Sequence, residues 1–287
     1  MILQTGFSAQ VRTIASLAGS VDWLLTKKCT SLSELAYLYR RFLHAMDQRK
    51  IECGRELPKI VNDYREAVEL SALFSNDSLL DDKAQADVIS FIVDEFAEQK
   101  TEILQEGLIA LSEFLPEHAA LLNSIITDIF IMPSHTARGG STSQAIGVIW
   151  MNPKPSYSLN DTLEMLVHEL AHHAMFLDEL RYGHYSYQNI MDRSTWARSA
   201  ILGTLRPLDK VLHSVVVSAE IILMRNLKLG NSFTPKVHPP TPLMVEQFWA
   251  AAYSATQAAN DFPGVLTERG MEILALAQRC VKEKCGC

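Results

Sequence analysis

Apolar positions recur at helical spacing through most of the first 120 residues. The clearest case opens at Ser31-Leu32-Ser33-Glu34, where a hydroxyl and a carboxylate three residues apart can satisfy the orphan amides of a helix start. The helix it predicts places Leu35, Leu38, Tyr39, Phe42 and Leu43 on one face. Similar amphipathic spacing predicts helices over 57–74, 80–99 and 101–114, with Pro116 ending the last. The pattern changes near residue 124. Residues 125–132 (IITDIFIM) are rich in β-branched side chains, stop at Pro133 and predict a strand. A polar loop, 134–144, separates it from a second predicted strand, 145–151 (AIGVIWM), closed by Asn152-Pro153. A long helix over 159–180 follows, begun by Asn160 or Asp161. Residues 181–206 are irregular, and Pro207 is placed as the first residue of a helix that stops at Gly230-Asn231. A proline-rich loop and two helices, 243–259 and 264–284, complete the chain without an internal repeat.

These elements predict a mainly α-helical α+β fold with a small β-sheet, built as one globular unit over residues 1–287. Its N-terminal half, 1–124, is helical, and its polar residues read as ordinary solvated faces. Apolar residues make up 48% and charged residues 21%, so a chain of this length buries a core without a disulfide or a metal. The net charge of −7 gives no bulk attraction for phosphate backbones, and no nucleic-acid partner is expected. No apolar stretch reaches the 18 residues or so of a membrane span, and no basic segment with an apolar core opens the chain. A cytoplasmic protein away from the membrane is expected. The five cysteines are odd in number and sparse, as free thiols in a reducing compartment would be.

The chemistry lies in His168-Glu169-Leu170-Ala171-His172, an HExxH string inside the long helical pattern. Such a string arises by chance in roughly one chain in a hundred of this length. Two histidines four apart stand about 40° apart around a helix, so both imidazoles can reach one metal ion. Leu163, Leu166, Val167, Leu170, Ala174 and Leu177 cover a different face, leaving the helix to pack on one side and present the histidines on the other. His173 points elsewhere and reads as a residue that packs or that supports the ligands from behind. These features make 125–287 the metal-binding half. A third protein ligand is required. Asp178 falls where one HExxH pattern has its last ligand, but Met175 replaces the glycine that would turn the chain there, so the helix should continue. Glu220 is the carboxylate that a zinc peptidase of the gluzincin kind would use, and His184, His213 and His238 also compete. His213 and Glu220 are seven apart and share a helix face.

The segments Arg193-Ser-Thr-Trp196-Ala-Arg198 and Arg206-Pro207-Leu208-Asp-Lys-Val211-Leu212-His213 resemble a second signature. Together with HExxH they are similar to a family of HExxH-motif peptide-modifying enzymes from bacterial natural-product clusters. The resemblance covers roughly residues 125–230, with the Arg-Pro-Leu…Val-Leu-His string as its discriminating part. It implies an iron(II)- and 2-oxoglutarate-dependent oxygenase that hydroxylates a side-chain β-carbon of a ribosomally made peptide. It also implies a fold other than the double-stranded β-helix usual for such oxygenases. His168, His172 and His213 would bind the metal. Arg206 first, then Arg198, would hold the far carboxylate of 2-oxoglutarate. Glu169 would be the catalytic-site carboxylate that orients a ligand or the substrate. The partners implied are the peptide and dioxygen, and a homodimer is compatible with so much apolar helix. The alternative is a zinc metallopeptidase with Glu169 as general base. In either case an extended peptide could add to strand 145–151 as a sheet edge, with the polar loop 139–143 closing over it.

Overall fold

A computed structural model describes residues 1–47, 49–74, 88–230 and 234–286. It is mainly helical with a small sheet, as the hydrophobic pattern predicts. The chain forms two compact units, one drawn from residues 7–177 and the other from residues 1–6 and 178–286. The division falls inside the long helix, between Leu177 and Asp178, and not at the change of pattern near residue 124.

The chain begins with a short helix, α1 (Ile2–Thr5), of the second unit. The first unit then contains α2 (Phe7–Gly19), α3 (Trp23–Thr26), α4 (Leu32–Asp47), strand β1 (Lys59–Val61) and α5 (Tyr64–Ser71). It continues with α6 (Ala97–Phe114), α7 (Pro116–Ile125), strands β2 (Asp128–Ile131), β3 (Gly139–Ser141) and β4 (Val148–Met151), and most of α8 (Leu159–Tyr182). The box that opens α4 forms as expected: the Glu34 amide donates to Ser31 Oγ at 3.2 Å, and the Ser31 amide donates back to Glu34 Oε2 at 3.3 Å. Leu35, Leu38, Tyr39 and Leu43 are buried.

Two predicted helices change. The window 57–74 divides into β1 and α5. Pro58 biases the residue before it toward extended backbone, and Ile60 and Val61 pair in parallel with Ile129 and Phe130. A helix starts only at Asp63, whose carboxylate accepts the Glu66 amide at 3.0 Å. In the window 80–99, residues 80–87 lie outside the described residues, 88–96 are irregular, and α6 opens at Ala97.

The sheet order is β1-β2-β4-β3, with β1, β2 and β4 parallel and β3 antiparallel to β4. Thus β4 is interior and β3 is the edge strand, which corrects the reading of 145–151 as an edge. The glycine-containing segment read as a loop, 139–143, is largely this strand. Gly139, Gly140 and Ser141 pair with Met151, Trp150 and Ile149, so β4 supplies the ladder that their own propensity does not favour. One sheet face carries Phe130, Val148 and Trp150 in a core with Val61, Ala67, Met132 and Ala145. The Phe74 ring meets Phe130 edge-on at 5.3 Å, and Trp150 Nε1 donates to the Met132 carbonyl at 2.9 Å. By strand parity Ile129, Ile131, Ile149 and Met151 point to the other face, and all four are buried. Burial on both faces is why β2 and β4 read as continuous apolar runs.

The second unit contains the end of α8, then α9 (Tyr187–Ile190), a ribbon of β5 (Ala197–Arg198) and β6 (Leu205–Arg206), α10 (Leu208–Met224), α11 (Thr241–Asp261) and α12 (Glu268–Cys285). Every residue of α10 but Lys210 is buried, and it packs against α1, α11 and α12. A helix buried on all sides carries no amphipathic stripe, and Val215-Val216-Val217 shows none. Thr267 caps α12: its Oγ1 accepts the Gly270 amide at 3.1 Å and donates to the Gly183 carbonyl at 2.9 Å. Thr267→Ala is expected to lower stability by about 1 kcal/mol in urea unfolding, the usual effect of a lost cap. No helix among the described residues is long and apolar enough to cross a membrane.

Candidate metal centre

The HExxH helix is positioned from its first turn. Ser158, rather than Asn160 or Asp161, caps α8: its Oγ accepts the Asp161 amide at 3.2 Å and donates to Asp161 Oδ2 at 2.7 Å. The box is reciprocal, because the Ser158 amide also donates to Asp161 Oδ2 at 2.9 Å. Leu163, Leu166, Val167, Leu170, Ala174 and Leu177 are buried, so the apolar face is the one that the spacing predicts. The helix runs past Met175 to Tyr182 without turning.

The opposite flank brings His168 and His172 together. Both are half-buried, and their Nε2 atoms stand 3.2 Å apart. Two nitrogens each about 2.0–2.1 Å from one metal ion are separated by roughly 2.9–3.4 Å at octahedral to tetrahedral angles. The pair therefore fits two neighbouring positions on one metal ion. Without a cation, this approach requires one ring to donate its N–H to the other's lone pair.

Glu169 is buried on the same helix and turns toward the sheet. Its Oε2 accepts the hydroxyl proton of Ser141, on β3, at 2.6 Å. Burial pushes its carboxyl up to about 7, and the Ser141 hydrogen bond acts in the opposite direction. The neighbouring backbone leaves it room. A Cβ on Gly139 would lie 3.1 Å from Glu169 Oε1 and 3.0 Å from the Trp150 carbonyl oxygen. His173 is buried, with Nδ1 donating to the Glu169 carbonyl at 2.9 Å, and burial lowers its pKa to about 4. It is a neutral ring that stiffens this turn, in keeping with a packing role. The Trp150 oxygen is backbone and cannot swing aside, so Gly139→Ala is expected to lower stability by about 1–2 kcal/mol in chemical unfolding. It should also displace the Glu169 carboxylate.

The other candidate ligands lie in the second unit. Asp178 is fully engaged. Its Oδ1 accepts from Arg269 Nε and His184 Nε2, both at 2.9 Å, and its Oδ2 accepts from Arg269 Nη2 at 2.7 Å. Burial pushes the Asp178 carboxyl up, but Arg269 and His184 together pull it below its ordinary value. Glu220 is engaged too, by the Leu3 amide and Gln4 Nε2, each at 2.9 Å, and by the Met1 amine. His213 is buried in the second turn of α10. Arg198 and Arg206 both sit in the β5–β6 ribbon, where Ala197 pairs with Arg206 and Arg198 with Leu205. Paired residues share a face and neighbours alternate, so the two arginines point to opposite faces. Arg206 is half-buried and Arg198 exposed. A single ligand carboxylate approaching one face of the ribbon meets only one of them.

No family model matches the chain, and no curated protein matches it in sequence. Among the described residues, no group of three His, Cys, Asp or Glu side chains is placed to hold a metal ion.

Sequence reading missed Ser141 and Gly139. The signal was present as Gly139-Gly140-Ser141, two residues without a side chain ahead of a hydroxyl, directly before the strand that leads into the HExxH helix. The spacing alone did not reveal that this segment forms a strand facing Glu169.

Proposed function

We propose that this chain is a cytoplasmic iron(II)- and 2-oxoglutarate-dependent oxygenase that hydroxylates a side-chain β-carbon of a ribosomally synthesised peptide. The observation that carries the reading is the convergence of the His168 and His172 Nε2 atoms at 3.2 Å. Asp178 is held by Arg269 and His184, and Glu220 by Leu3 and Gln4; His213 is taken as third ligand from the resemblance of the Arg206–His213 segment. The metal would thus rest on a helical HExxH motif and not on a double-stranded β-helix. Bound iron and 2-oxoglutarate would supply the oxidising power, with dioxygen and 2-oxoglutarate consumed and succinate and carbon dioxide released.

The chain's own residues have distinct tasks in this reading. His168 and His172 would hold the metal, with His213 the third ligand that the resemblance implies. Arg206 binds the far carboxylate of 2-oxoglutarate bidentately. Glu169, fixed by Ser141, orients groups next to the histidine pair. The edge strand β3 offers main-chain hydrogen bonds to an extended peptide. The test is an anaerobic titration of the iron(II)-loaded protein with 2-oxoglutarate. A weak visible charge-transfer band that saturates, and that is absent from His213→Ala, is the expected result. No band, together with tight retention of zinc, would overturn the reading.

A second reading, a zinc metallopeptidase, is favoured by one observation: Glu169 is buried beside the histidine pair and bonded to the edge strand. A carboxylate there can act as general base on water while the edge strand holds a peptide. Peptide cleavage by the zinc-loaded protein, abolished in Glu169→Gln, would establish it.

A further inference from the structure

We propose that a cavity beside α4 binds a small amphipathic organic anion, a molecule with an apolar body and one carboxylate head. The cavity measures about 690 Å³ and lies within the first unit. That volume is in the range that holds a drug-sized molecule. None of its lining residues belongs to α8 or to the sheet, so it is separate from the histidine pair. Leu25, Leu32, Ala36, Leu38 and Ala120 supply apolar wall.

The charge of the lining identifies the head group. Lys28, Arg40 and Arg55 line the cavity with Glu34 and Glu56, and Arg55 is paired with Glu52, so Lys28 and Arg40 are the cations to be accounted for. Glu34 is already spent on capping α4, with its Oε2 accepting the Thr30 amide at 2.7 Å. Arg40 is the decisive residue. It is only 3% exposed, and its hydrogen-bond partners are carbonyl oxygens: Asn123 at 2.6 Å from Nη2 and Cys53 at 3.4 Å from Nη1. Its Nε is buried with no hydrogen-bond partner. Among the described residues, no carboxylate forms an ion pair with it. A buried guanidinium hydrogen-bonded only to carbonyl oxygens, with Asp128 acting on it from beyond ion-pair distance, is unfavourable, and an anion in contact completes it. Two of its five N–H groups are used, which leaves donors for a ligand carboxylate, with Lys28 in the same lining.

Octanoate and octanol are the probes, because they share the apolar body and differ in the charged head. The intact protein is titrated with each by calorimetry. Iodoacetamide labelling of Cys29 and Cys53, two half-buried thiols in the lining, reports where the probe sits. Octanoate should saturate one site, bind at least tenfold tighter than octanol and slow the labelling of both thiols. Arg40→Met should bind the two probes alike. Ala120→Phe, which fills the cavity and keeps Arg40, should lose octanoate binding, and it carries the test if Arg40→Met does not fold. Equal binding of both probes by the unaltered protein, no saturable binding, thiols that remain unprotected, or full octanoate binding by Ala120→Phe would each overturn the proposal.

Discussion

Alanine at His172 is expected to abolish ferrous-ion binding while the protein stays folded. Loss of a partner one step removed from a metal typically lowers affinity 10–100-fold, so loss of a direct ligand should exceed that. The fold should tolerate the change. His172 is half-buried in the middle of α8, its ring faces His168 and Phe176, and alanine is a favourable helix residue. Equilibrium dialysis under nitrogen measures affinity, and far-ultraviolet circular dichroism checks the helix. His168→Ala and His213→Ala should behave alike, and Glu220→Gln should retain the metal. The opposite pattern, with His213 dispensable and Glu220 required, would favour the peptidase reading. Unchanged affinity in His172→Ala would remove the metal from both. A metal at a hundredfold excess over its dissociation constant stabilises the folded state by about 2.7 kcal/mol. A chelator should therefore lower the melting temperature of the loaded protein and leave that of His172→Ala unmoved.

What was legible in the sequence follows from which interactions are local. The box at Ser31 and Glu34 and the apolar face of α8 each depend on residues within a few turns of one another, and both appear as read. The spacing of His168 and His172 belongs to the same class, and their rings do converge. Pairings across the chain were not legible. Strand β1 is only Lys59–Val61, too short to show an alternating period, and its identity depends on β2 almost seventy residues later. Strand β3 has a sequence with little strand propensity and exists because β4 is beside it. The reading of 145–151 as an edge failed for the same reason, since edge and interior are properties of the sheet and not of a segment. Ser141 became visible as a partner of Glu169 only once that sheet was formed. The partners of two candidate ligands also lie far off in the chain, Arg269 for Asp178 and residues 1–4 for Glu220.

The Asp178–Arg269 pair should show the largest stability effect, and an asymmetric one. The Asp178 side chain is 3% exposed and the Arg269 side chain 28%. Arg269→Ala removes both hydrogen bonds of a bidentate clamp and leaves a buried carboxylate with only the His184 hydrogen bond, so it should lower stability by about 3 kcal/mol. Asp178→Asn removes the acid but keeps its shape, and Arg269 can turn its charge to water, so a smaller loss of about 1–3 kcal/mol is expected. The pH dependence has a definite sign. In the unaltered protein the Asp178 carboxyl is held below its ordinary value. The stability this gives is fully present above about pH 4, the unfolded carboxylate value, and is lost as pH falls through the lower folded value. Without Arg269, burial is opposed only by the His184 hydrogen bond, so the folded value rises relative to the unaltered protein and less of the stabilisation survives at neutral pH. The gap between the two proteins should therefore be widest at pH 7 and close on acidification. Urea unfolding at pH 7, 5 and 4 measures it. A gap that stays constant across that range would mean that Arg269 contributes through packing and not through the Asp178 charge.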